Sequence, residues 1–266
     1  MFVDVLTAKV IKGRKRNYFK ALILSHIERV HFLKNNDFIK KLFKPEREHV
    51  LIRNLIGKFH VVTTNESVRL TNYLTEVDVR NWIRTDERKK IFIDIGANIG
   101  FYPVFLRNKG YEKIICFEPS KKFFKILNYN ISANEITNAE THNLALDKKK
   151  RKHFFLEEKN NIGSSRLVKK KAMNVDIVKT NTFDNISKTT NIRSEDISFI
   201  KIDVEGFEYN VLKGMSKTLN NLQKDTYLII EIWDKSKYTE QIFTFLKQNN
   251  ILFIKKIASN YLFKKS

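Results

Sequence analysis

The 266-residue chain reads as an α/β protein, a mostly parallel β-sheet covered by helices on both faces. Three observations predict this. From residue 91 onward, short β-rich apolar runs alternate with segments of helical periodicity. The length suits one full-sized domain with a small extra lobe, burying roughly three-quarters of its unfolded surface. The 21 Phe and 9 Tyr exclude a disordered chain, and only 8 Gly and 3 Pro exclude a collagen-like or low-complexity one.

The elements follow in order. Residues 1–75 form a separate compositional zone, expected to be an N-terminal cap or extension ahead of a domain over 76–266. Phe19, Leu22, Ile23, Ile27, Val30 and Leu33 recur at helical spacing and predict an amphipathic helix over 17–34. The stretch 9–20 carries Lys9, Lys12, Arg14, Lys15, Arg16 and Lys20 without an acid. Such a helix lies on a membrane surface or, more commonly, caps a larger domain. A second short helix ends before Pro45, and 58–62 with 67–71 around Asn65 read as a hairpin. Strands then fall at 91–95 and 113–117, with a glycine turn and a helix through Arg107 between them. Pro119 starts a helix, where its missing N–H costs nothing, and Phe123, Phe124, Leu127 and Ile131 share one face of 120–133. A third strand lies near 140–146. The stretch 147–181 breaks the alternation, with KKKRK at 148–152 and KKK at 169–171, and reads as an inserted β-arm or loop. Strands at 197–203, 227–232, 251–257 and 260–265, with helices at 206–219 and 236–249, complete the pattern.

Several function classes drop out. One cysteine, Cys116, excludes a disulfide framework and a cysteine zinc cage and points to a reducing compartment. The histidines form no HExxH pair, so no metal centre is expected; magnesium on strand-end carboxylates stays open. His142, at the third strand, reads as a core or pocket-wall residue. There is no G-x-x-x-x-G-K-[ST] and no G-x-S-x-G. No apolar run of about 18 residues exists, and the N-terminal basic cluster follows the apolar stretch instead of preceding it, so a cytoplasmic location is the expectation.

Chemistry concentrates at three strand ends. After the first strand stands Asp94-Ile95-Gly96-Ala97-Asn98-Ile99-Gly100. Ligands of parallel α/β sheets bind off such ends. Gly96 would allow close backbone approach, and Gly100 close helix packing. The glycines are four apart, unlike G-x-G-x-x-G, and an acid sits two residues before the first. That acid repels phosphate but pairs with an ammonium or a ribose hydroxyl. The ligand suggested is a nucleoside with an amino-acid tail, which points to S-adenosylmethionine; a plain strand-to-helix turn also fits the loop. Glu118 lies 22 residues after Gly96, where an acid accepts ribose hydroxyls, although a helix-start acid fits the same place. Asp203, Glu205 and Glu208 cluster at the end of the fourth strand. Asp203 is the candidate base for an acceptor proton, Glu208 reads as structural, and Glu205 fits either role. Glu231, ending the next strand, is a further candidate for the acceptor pocket.

DIGANIGFY (94–102), CFEPS (116–120) and KIDVEGFEYNVLKG (201–214) resemble the three hallmark segments of the FkbM-type methyltransferases. The likeness covers about residues 76–232. It implies a Rossmann-like class I methyltransferase sheet, mostly parallel with an antiparallel last strand, helices on both faces and an N-terminal helical or hairpin extension. It further implies S-adenosylmethionine as cofactor and a hydroxyl oxygen as methyl acceptor, mostly on sugars of surface glycans or glycolipids. By the same likeness Asp94, Gly96, Asn98 and Gly100 hold the methionine end, Glu118 holds the ribose, and Asn143 to Leu146, including Ala145, line the adenine. Asp203 and Glu205 are then the catalytic candidates. Residues 1–75 match nothing in the family, and the basic arm is richer in lysine than its pattern; Asn161–Ser165 resembles a polar turn found there.

The net charge, 50 Lys+Arg against 29 Asp+Glu or +21, has two readings. It can dock an anionic acceptor or the inner face of an anionic membrane, or it can be a solvated coat. The rival function is an RNA methyltransferase, but the basic runs lack the interleaved aromatics of single-strand binders. A non-catalytic scaffold is disfavoured by intact Asp94, Glu118 and Asp203.

Overall fold

The computed structural model describes residues 8–27, 41, 44, 46, 49–62, 71, 76–83, 87–156, 166–168, 175–233 and 237–266. The helix expected before Pro45, the second hairpin strand up to residue 70, residues 28–34 of the first helix, the turn at Asn161–Ser165 and the lysines at 169–171 lie outside the described residues.

Strands β1 (Lys9–Lys12), β2 (His49–Arg53) and β3 (Lys58–Val62) form an antiparallel sheet in that order. Strand 58–62 forms as expected and pairs with 49–53, a partner the sequence pattern did not name; its expected hairpin partner, up to residue 70, lies outside the described residues. The turn between them is held by Asn54, whose Oδ1 accepts the N–H groups of Ile56 and Gly57 at 2.9 and 3.1 Å. The helix Lys15–Ile27 buries Tyr18, Ala21 and Leu22 against this sheet, whereas Ile23, placed on the apolar face by its spacing, is 37% exposed. Helix spacing marks a stripe but not its edges, and Ile23 falls outside it.

The large sheet begins with β4 (Ile91–Ile95), β5 (Lys113–Phe117) and β6 (Ala139–His142). A short β7 (Ala145–Leu146) then pairs with the insert, in which β8 (Arg151–Leu156), β9 (Arg166–Val168) and β10 (Val175–Asn181) are antiparallel neighbours. The main sheet resumes with β11 (Ile197–Ile202), β12 (Tyr227–Glu231), β13 (Ile251–Ile257) and β14 (Asn260–Lys265). Its order is β13-β14-β12-β11-β4-β5-β6. All pairs are parallel except the two made by the last strand, β14.

The central parallel strands of this sheet are buried on both faces, while the edge strand β13 is largely exposed. Alternate residues enter two separate clusters. Phe92, Ile114, Cys116 and Phe199 join the first with the N-terminal sheet; Ile93, Ile115, Ile200 and Ile202 join the second with the C-terminal helices. The extension is also bonded to the domain. Asn130 Oδ1 accepts the His60 N–H at 2.6 Å while its Nδ2 donates to the Ile99 carbonyl at 2.7 Å. Asn134 exchanges two hydrogen bonds with the Lys58 backbone. Among the described residues no helix is long and apolar enough to cross a membrane.

Candidate active site

The strand order reverses between β4 and β11: the chain moves outward from β4 to β6 and then continues on β4's other side. Their carboxyl ends lie in register, Ile95 against Ile202. Gly96 and Ala97 both donate their N–H groups to the Phe117 carbonyl at 3.0 Å. Gly96 has φ +90°, and a Cβ there would come within 1.9 Å of the Asp203 carbonyl oxygen. Only glycine lets the first-strand loop touch the fourth-strand end. Gly100, φ +85°, similarly admits Leu127, whose Cδ1 would lie 2.6 Å from an added Cβ.

Asn98 is left-handed, φ +49°, and donates its N–H to Glu118 Oε2 at 2.8 Å. The other oxygen of Glu118 accepts the Ser120 N–H at 2.8 Å. The acid after β5 thus starts its helix and also latches the glycine loop. Asn143 turns its amide onto the Glu118 and Pro119 carbonyls at 2.9 and 3.1 Å, which fixes the same corner. Ala145 pairs with Thr180 of β10 and is buried among Phe155, Leu167 and Val178. His142 stacks on Phe117 at 4.9 Å, with Nε2 2.7 Å from Glu140 Oε1, and is a wall residue.

Asp94 is fully buried, and neither carboxylate oxygen has a hydrogen-bond partner among the described residues. Burial pushes its carboxyl up to about 7; Lys201 pulls it down, and Asp203 and Glu76 push it further up. The Asn98 Oδ1 is likewise buried without a partner. A buried, unpartnered carboxylate beside a glycine cradle suits a ligand with an ammonium group.

On β11, Lys201 is 3% exposed and its Nζ donates to Asp203 Oδ2 at 2.8 Å. Burial disfavours the ammonium, but Asp203, Glu76 and Asp94 outweigh it and raise the pKa. The same Nζ lies 4.9 Å from the Tyr102 ring centre, and the Tyr102 hydroxyl donates to Glu76. Burial also disfavours the Asp203 carboxylate, but Lys201 and a hydrogen bond from Glu231 leave it below its ordinary value. Glu231 is pushed up to about 8 by Asp203 and by burial, and accepts the Ser259 hydroxyl at 2.6 Å. Within this pair the proton is therefore favoured on Glu231 and the negative charge on Asp203. Glu205, φ +55°, and Gly206, φ +96°, turn the chain away from β11. Carboxylate oxygens of Asp203, Glu205 and Glu231 lie within 4.8 Å of one another, a donor set of the kind hard cations use. Glu208 is spent structurally: it accepts the Gly206 N–H at 2.7 Å, and burial raises it to about 7.

The structure thus brings together Asp94, Gly96, Asn98, Glu118, Asp203 and Glu205 at one end of the sheet, with Asn143 bracing them. Sequence reasoning missed Lys201, Tyr102, Glu76 and Ser259. Lys201 had a signal, a lone lysine inside the apolar run ISFIKI.

A family model described as the methyltransferase FkbM domain matches residues 94–253. No curated protein matches the chain. Among solved structures it is similar to M. jannaschii TYW2 in complex with AdoMet, at 11% identity and TM-score 0.42, over 82% of this chain and 84% of that one. It is also similar to an rRNA methylase from Streptococcus thermophilus, at 12% identity and TM-score 0.44, over 70% and 92%. A third is precorrin-6y C5,15-methyltransferase from Geobacter metallireducens, at 10% identity and TM-score 0.42, over 72% and 88%.

Proposed function

Since the chain belongs to the FkbM methyltransferase family and is an S-adenosylmethionine-dependent methyltransferase, we propose that it methylates a hydroxyl oxygen on a sugar of a surface glycan or glycolipid precursor. The observation that carries this reading is the acidic, proton-sharing wall of Asp203, Glu231 and Glu205 beside the glycine loop. Carboxylates accept hydrogen bonds from the hydroxyls of a neutral sugar, and they repel a phosphate-rich acceptor from the point of reaction.

S-adenosylmethionine, when bound, supplies an electrophilic methyl group. Asp94 would pair with its ammonium, Gly96 and Gly100 would let the backbone approach it, and Glu118 would accept its ribose hydroxyls. Asp203 takes the proton that leaves the acceptor oxygen as the carbon–oxygen bond forms. Lys201 fixes that carboxylate and favours its ionised form, and Glu231 hydrogen-bonds to it as well. Most of the rate then comes from positioning.

The test is to incubate the protein with methyl-labelled cofactor and separated glycan, lipid and RNA fractions of its host. Label is expected in glycan or glycolipid; label in RNA alone would sink the reading. Asp203→Asn should abolish turnover while cofactor affinity stays within about threefold, because Asp203 acts on the acceptor proton. Joint loss of both would make Asp203 a binding or folding residue.

A further inference from the structure

The helix Lys121–Ala133 opens with Lys121, Lys122 and Lys125. These face β2 and β3 across a cavity of about 500 Å³, lined by the three lysines, His49, His60 and Tyr129. Among the described residues no carboxylate lines it. Lys121 and Lys125 make no ion pair among the described residues. Like charges at i and i+4 destabilise a helix slightly, so this end of the helix gains when an anion arrives. The opposite wall is aromatic. His49 and His60 stack at 5.0 Å, with Nδ1 of one 2.8 Å from Nε2 of the other, and His60 lies 4.8 Å from Tyr129. That hydrogen bond needs a neutral acceptor ring, so the pair carries at most one added proton. Burial and His49 both hold the His60 pKa down. The lysines therefore supply most of the charge, and the stacked rings supply a flat polar surface. Tyr129 is 46% exposed. The two walls are fixed to each other, because the His60 N–H donates to Asn130 of the same helix at 2.6 Å.

We propose that this cavity binds a pyrophosphate ester, with the phosphates on Lys121, Lys122 and Lys125 and the organic part against Tyr129. Three ammonium groups within about one turn match a polyanion better than a single carboxylate, and ammonium groups are strong phosphate partners. The cavity is separate from the acidic wall around Asp203 and does not depend on the acceptor assigned above. Such an ester has two sources, a free nucleoside diphosphate compound or a lipid-linked pyrophosphate.

Calorimetry with UDP, and sedimentation with phosphatidylcholine vesicles carrying polyprenyl pyrophosphate, test the site on the full chain. Saturable binding of at least one probe is expected, and which one binds identifies the source. The Lys121→Gln/Lys125→Gln double variant should weaken that binding at least tenfold, with thermal stability and S-adenosylmethionine affinity unchanged. A control variant, Lys188→Gln/Lys224→Gln, alters two exposed lysines elsewhere and should bind as wild type. The proposal is overturned if neither probe saturates, if the cavity variant binds as wild type, or if the control variant loses as much.

Discussion

Replacing Asp94 by Asn separates the charge of this buried carboxyl from its shape. In the folded chain its pKa is about 7 against an ordinary 3.8, chiefly through burial. A raised folded-state value means that its contribution to stability is present below about pH 4 and is lost as pH rises to about 7. Between pH 5 and pH 8 the unfolded carboxyl is ionised throughout, while the folded one gives up its proton within the window. At about 1.4 kcal/mol per pH unit, this amounts to about 2.5 kcal/mol of wild-type stability lost across that interval. Asn has no proton to lose. Glu208 and Glu231 titrate in both proteins and cancel. Urea unfolding of cofactor-free wild type and Asp94→Asn at the two pH values should therefore show the wild type falling by about 2.5 kcal/mol relative to the variant. Cofactor binding should move the other way. Wild-type affinity should rise up to about tenfold per pH unit between 5 and 7, as the carboxylate becomes available to the ammonium, and the variant should lack that slope. Parallel stability curves for the two proteins would refute the buried, unpartnered acid; an unchanged affinity slope would refute its pairing with the cofactor.

Three further outcomes follow from the same geometry. Lys201→Met leaves Asp203 without its buried cation and should cost about 3–5 kcal/mol in thermal or chemical unfolding. Gly96→Ala sets a methyl 1.9 Å from the Asp203 carbonyl at φ +90°, so it should lose at least about 2 kcal/mol together with measurable cofactor binding. Neutralising Lys148, Lys149 and Lys150 should raise acceptor KM and leave cofactor affinity alone, read by steady-state kinetics and calorimetry; an unchanged KM returns those lysines to a solvated coat.

The strand-end motifs were legible because the chemistry sits at local, ordered sequence features. Asp94 to Gly100, Glu118 and Asp203 each close a short apolar run, and parallel pairing alone brings those ends together. The network around Asp203 was less legible. Glu231 was named from its place at the end of β12, but Ser259, brought to it by the pairing of β12 with β14, was not, because strand pairing leaves no spacing to read. Alternation likewise announced 58–62 as a strand and offered 67–71 as its neighbour, while HVLIR at 49–53, which pairs with it in the structure, went unread. Asn130 and Asn134 drew no notice in the sequence; their side chains bond backbone groups of the N-terminal sheet. Polar residues with tertiary backbone partners look, in sequence, like solvent-facing ones.

The pairing of β4 with β11 joins Ile91 to Ile197, across the whole β5–β10 segment. Contacts so distant along the chain form late, because loop closure must precede them. The corner built from β4, β5 and β6 pairs among near neighbours and can close first. The Asp203 carbonyl reaches Gly96 only when β11 docks. A refolding chain should thus recover the glycine-loop corner before it recovers turnover, and the delay between the two would time the arrival of the fourth strand.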